Sequence, residues 1–64
     1  MATINGETVD AGGRTILRYI QETGYGEKQV VVERNLRIIP REEWARTVIE
    51  ESDSVEILQF VGGG

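Results

Sequence analysis

Neither cysteine nor histidine occurs anywhere in the chain. A domain of 64 residues buries only about 60% of the surface that its unfolded chain exposes. Domains of this size commonly borrow stability from disulfides or a bound metal. With no thiol and none of the usual zinc ligand sets, neither is available here in the obvious way. The same absence removes the thiol nucleophile and the imidazole base on which many active sites are built, and it suits a reducing compartment. No stretch approaches a membrane-spanning length, and Met1-Ala2-Thr3 lacks the charged and apolar regions of a signal peptide. The expectation is a cytoplasmic domain, monomeric when free, that is not an enzyme, holds no metal or cofactor of its own and engages no membrane.

The core has to come from short elements that the sequence punctuates clearly. Asn5-Gly6 lies between two β-prone runs, Ala2-Thr3-Ile4 and Glu7-Thr8-Val9, and an Asn-Gly pair in that setting predicts a hairpin with positive φ at both central residues. That register places Ile4 and Val9 on one face. Thr15 is placed to cap a helix of about two and a half turns, whose apolar stripe is Ile16, Leu17 and Ile20 and whose left-handed stop is Gly24. Arg18 and Glu22 fall on its wet side. Val30-Val31-Val32 predicts a strand that is central or buried on both faces. Arg34-Asn35-Leu36-Arg37 turns the chain into a short extended piece, Ile38-Ile39. Pro40 suits the first turn of a short helical segment carrying Glu42 and Glu43 at its N-terminal end, with Trp44 anchoring that segment to the sheet. Thr47-Val48-Ile49 reads as extended, and a polar turn, residues 50–54, precedes a last strand in Val55 to Val61. The expected fold is α+β: a mixed sheet of four to five strands with one main helix across it.

The net charge is −4 and unevenly spread. From Glu42 to Glu56 the acids are Glu42, Glu43, Glu50, Glu51, Asp53 and Glu56, against Arg46 alone. Such a segment repels phosphate backbones, which excludes nucleic acid as a partner class. It serves either to steer docking onto a basic surface or only to keep the protein soluble. Adjacent carboxylates such as Glu42-Glu43 and Glu50-Glu51 are far more often solvated than catalytic or metal-binding. If the last strand alternates simply, Val55 and Ile57 face the helix while Glu56, Leu58 and Phe60 face away. Leu58 and Phe60 then make an exposed apolar patch rimmed by acids, a candidate docking site; a bulge that turned Phe60 inward would remove it.

The sequence closes on Gly62-Gly63-Gly64. Residues 1–61 read as the domain and 62–64 as a flexible tail. Three extended residues reach about 10 Å, and without Cβ atoms they can enter a slot that would exclude any side chain. A terminal α-carboxylate at Gly64 on such an arm is a group that another protein's active site could modify. The plain alternative is a frayed end or a cloning remnant.

Ile38-Ile39-Pro40-Arg41-Glu42-Glu43-Trp44 followed about twenty residues later by Phe60-Val61-Gly62-Gly63-Gly64 resembles the thiamin-pathway sulfur carriers of the ThiS type, which have a ubiquitin-like β-grasp fold. Asn5-Gly6-Glu7 matches their opening hairpin, Val30 to Asn35 their strand and Asn turn, and Asp53 to Ile57 their entry into the last strand, so the resemblance covers nearly the whole chain. Two features depart from it. The helix reads Leu17-Arg18-Tyr19-Ile20 where these carriers usually have a leucine-rich stretch, and there are three terminal glycines rather than two, the functional pair aligning with Gly63-Gly64. The resemblance implies that an adenylating, ubiquitin-activating-like enzyme uses ATP to activate the Gly64 carboxylate. A cysteine persulfide donor then replaces the adenylate with sulfur, and thiazole synthase takes the sulfur from the thiocarboxylate. Gly64 is the modified terminus, Gly62 and Gly63 its tail, and Glu56, Leu58 and Phe60 the docking candidates. A ubiquitin-like carrier for another pathway (molybdopterin-type), a protein-conjugation tag and a plain binding module with an inert tail are the competing readings.

Overall fold

The structure, a computed structural model, describes residues 1–26 and 29–60. Among the described residues five strands, an α-helix and a 3-10 turn follow one another in the expected order: β1 (Ala2–Ile4), β2 (Glu7–Val9), α1 (Ile16–Thr23), β3 (Val30–Arg34), β4 (Arg37–Ile39), the 3-10 turn (Arg41–Glu43) and β5 (Ser54–Gln59). They form one mixed sheet of order β2-β1-β5-β3-β4. Strand β5 runs parallel to β1 and antiparallel to β3, and each outer pair is a hairpin. The final strand is thus slotted between two hairpins, in the middle of the sheet.

Local chemistry explains the boundaries. Asn5 and Gly6 both have positive φ, 51° and 84°, so the chain reverses in two residues and Ala2 comes to lie opposite Val9. The Thr15 hydroxyl accepts a hydrogen bond from the Arg18 N–H at 3.1 Å and opens α1, which ends after eight residues at the left-handed Gly24, with the cap and the stop where the sequence placed them. Two more N–H groups of the first turn are bonded by residues 44–47: Ile16 donates to the Thr47 carbonyl at 2.9 Å and Leu17 to the Trp44 carbonyl at 3.1 Å. Thr15 also bridges to Val48, so the stretch read as extended serves chiefly to brace the start of the helix.

Ile16 and Ile20 of α1 pack on Ile4, Val32, Val55 and Ile57 of the sheet. Trp44 is buried at the end of this core, and its indole N–H donates to the Ile39 carbonyl at 3.0 Å, so the ring adds apolar contact without an orphaned donor. Strand β3 is central, as expected, but is buried on one face only. Val30 and Val32 are in the core, while Val31 is half-exposed on the side away from the helix. The run of three valines hid that alternation because both faces carry the same residue.

Candidate functional site

Strand β5 ends two residues, Phe60 and Val61, before the glycine segment in the sequence, so its surroundings are the described surface nearest to that segment along the chain. Its inner residues, Val55 and Ile57, are in the core. Its outer residues Glu56, Leu58 and the following Phe60 are exposed, with Leu58 at 53% and Phe60 at 59%. No bulge returns Phe60 to the core: its N–H donates to the Gln29 carbonyl at 2.8 Å, which continues the β3–β5 pairing beyond Gln59.

The register enlarges this surface with residues that the sequence alone does not bring together. Leu58 lies opposite Val31, and Glu56 opposite Glu33, which in turn lies opposite Ile38 of β4. The outer sheet face therefore has an apolar row nearer the C-terminal end of β5, Leu58 and Val31, and a second row of Ile38, Glu33 and Glu56. The outward phase of β3 was the available signal for Val31 and Glu33; their neighbours depend on strand pairing.

Two asparagines and one aspartate fix β5 in place. Beyond Ile4 the first strand turns away, and the Asn5 side chain continues its ladder: Oδ1 accepts from the Ile57 N–H at 2.7 Å and Nδ2 donates to the Ile57 carbonyl at 3.3 Å. On the other flank, Asn35 Oδ1 accepts from the Ser54 N–H at 2.9 Å and Asn35 Nδ2 donates to Asp53 at 3.1 Å. Asp53, read in the sequence as one acid of a polar turn, is buried. It also accepts from Arg34 Nε at 2.7 Å and from the Glu50 N–H at 2.9 Å. Burial pushes its carboxyl up, but the hydrogen bonds from Glu50, Arg34 and Asn35 outweigh that and hold it below its ordinary value. Only its surroundings in three dimensions distinguish Asp53 from Glu50 and Glu51, which sit at the surface and pair with Arg34 and the N-terminal amine.

A surface hollow beside the start of α1 is lined by Arg14, Arg18 and Gly13, but both arginines are paired with Glu22. Among the described residues no group of His, Cys, Asp and Glu could hold a metal ion, and no helix is long and apolar enough to cross a membrane. The tail residues Gly62, Gly63 and Gly64 lie outside the described residues, as does Val61.

The ThiS family model matches residues 1–64. The chain belongs to the ThiS family. A crystal structure of the ThiS thiamine biosynthesis protein of Geobacter metallireducens superimposes with a TM-score of 0.77 at 31% identity, covering 98% of this chain and 97% of that one. The β-grasp arrangement expected from the resemblance is therefore the ThiS fold. The sulfur carrier protein ThiS of Escherichia coli is 26% identical over 54 residues, 84% of this chain and 82% of its own length. A thiazole synthase of Paramagnetospirillum magneticum is 37% identical over 62 residues, and one of Magnetococcus marinus 34%. Each of these matches takes in 95% of this chain, which spans only 19% of the synthase's length.

Proposed function

We propose that the chain is a sulfur carrier for thiazole formation in thiamin biosynthesis, a substrate of other enzymes and not a catalyst. In the first step the Gly64 carboxylate attacks the α-phosphate of ATP on an activating enzyme, pyrophosphate leaves, and an acyl adenylate forms. A carboxylate is a poor electrophile until its oxygen belongs to such a leaving group. The terminal sulfur of a cysteine persulfide then displaces AMP, a thiol opens the resulting acyl disulfide, and the thiocarboxylate passes its sulfur to thiazole synthase. The chain itself has no histidine or cysteine with which to assist. Its contribution is the carboxylate and the face formed by Glu56, Leu58 and Phe60, which docks on the partners. The carrier works in the cytoplasm as a monomer between encounters and binds no cofactor itself.

The family match along the whole chain carries this reading. The two thiazole synthases with a similar segment favour thiazole over molybdopterin or a conjugation tag as the destination. The test is ATP–pyrophosphate exchange with the cognate activating enzyme, using a chain verified by mass to end at Gly64 and one lacking Gly64. Exchange with the first and none with the second is the expected result. Equal exchange from both, or none from either with an enzyme that is active on another carrier, would leave a β-grasp binding module with an inert tail.

A further inference from the structure

The middle of the outer sheet face holds two carboxylates where a sheet would ordinarily avoid them. Glu33 and Glu56 are direct cross-strand partners on β3 and β5, which places their Cβ atoms roughly 5 Å apart. Like charges in that relation destabilise the pair. Elsewhere in the molecule Arg14 and Arg18 hold Glu22, Arg34 holds Asp53 and Glu50, and the N-terminal amine holds Glu51, so none of these cations is committed to this face. Among the described residues no ion pair includes Glu33 or Glu56. Apolar groups flank the two acids, with Leu58 and Val31 in the next row towards the C-terminal end of β5 and Ile38, 66% exposed, beside Glu33 on β4.

We infer that Glu33 and Glu56 together form a socket for one arginine of the protein that docks on this face, its apolar side chains covering Leu58, Val31 and Ile38. The inference rests on the docking reading above and adds the partner's chemistry to it. Charge complementarity selects the occupant: two carboxylates with no cation of their own call for a positive group. The planar guanidinium, with five donors, can bond both at once, which a compact ammonium does less well. Apolar contact around the socket displaces water and strengthens the pairing. The free carrier carries a repulsion that docking relieves, so the two acids oppose folding and favour association.

That opposition supplies the test. Glu33→Gln and Glu56→Gln keep shape and remove charge. In the full-length chain each should raise Tm by about 2 °C, weaken binding to the cognate thiazole synthase about fivefold in calorimetry and reduce the salt dependence of that binding. A residue that matters only for folding cannot move stability and affinity in opposite directions. Leu58→Ala serves as the control for the face itself and should weaken binding with little salt dependence. If the Gln variants bind like the wild type while Leu58→Ala binds poorly, the socket is wrong and the docking face stands. Lowered Tm in the Gln variants overturns the socket as well. If Leu58→Ala also binds like the wild type, or the wild type does not bind, the docking face itself is wrong.

Discussion

Asn5-Gly6 and Asn35-Leu36 reverse the chain in the same way and start from the same residue, yet only the first turn ends on a residue suited to it. Both asparagines have φ of 51°; Gly6 follows at 84° and Leu36 at 70°. Glycine is at ease there, while a leucine in the left-handed region costs about 1–2 kcal/mol. Leu36 is 90% exposed, so burial returns little of that cost. The shared residue has a different justification. Each asparagine grips β5 with its carboxamide, Asn5 at Ile57 from the β1 side and Asn35 at Ser54 and Asp53 from the β3 side. Turn geometry alone would be satisfied by other residues; holding the strand between the hairpins needs a side chain that both donates and accepts. The comparison separates two tasks that one position performs at once.

The largest way to disturb the comparison is through Asp53, whose carboxylate is bonded by Arg34, Asn35 and the Glu50 N–H and by nothing on the Asn5 flank among the described residues. Asp53→Ala should cost about 2–3 kcal/mol in chemical denaturation, because Arg34, Asn35 and the Glu50 N–H lose a shared buried acceptor. The same carboxylate gives stability a pH dependence of known sign. Its folded value is below the ordinary 3.8, so its contribution is present above the unfolded value and is lost as pH falls through the folded one. Melting temperature should drop as pH falls below about 4, and Asp53→Asn should melt with a shallower slope over that range.

Next in size are the grips themselves. Asn35→Ala and Asn5→Ala should each cost about 1–2 kcal/mol, the first being the larger because it also takes a donor from Asp53. Amide exchange tells them apart: loss of Asn5 should accelerate Ile57, and loss of Asn35 should accelerate Ser54. Equal acceleration of both amides in either variant would mean that the flanks act as one unit. The smallest effects belong to the second turn residues. Leu36→Gly should stabilise the protein by about 1 kcal/mol, and Gly6→Leu should destabilise it by a similar amount. The space beside Gly6 is open, so that cost is conformational. A loss of stability in Leu36→Gly would show that the exposed leucine has packing value after all.

The same pair of turns shows what could be read from the sequence. Asn5-Gly6 states its geometry in two letters, as do Thr15 at the start of the helix, Gly24 at its end and Pro40 before the 3-10 turn, because each acts within a few residues of itself. Asn35-Leu36 performs an equivalent turn without glycine, so the sequence marks only that the chain reverses. The alternation in β5 placed Glu56, Leu58 and Phe60 outside correctly, since period-two patterning is local too. Asp53 could not be distinguished from Glu50 and Glu51, nor Glu33 matched to Glu56, because burial and register depend on residues far away in the chain. The outer face was thus half legible: its β5 column could be read, but not the pairing that sets Val31, Glu33 and Ile38 beside it.

The position of β5 also orders the assembly of the molecule. Residues 2–9 and 30–39 can each form a hairpin from local contacts, but an isolated hairpin is marginal in water. The strand that unites them pairs Thr3 with Ser54, a loop closure across most of the chain, and contacts of that span form late and slowly. A nascent or truncated chain without residues 54–59 has two unpaired edges and no sheet. The strand that precedes the glycines in the sequence is also the last to be seated, so its seating certifies that the whole domain has already folded.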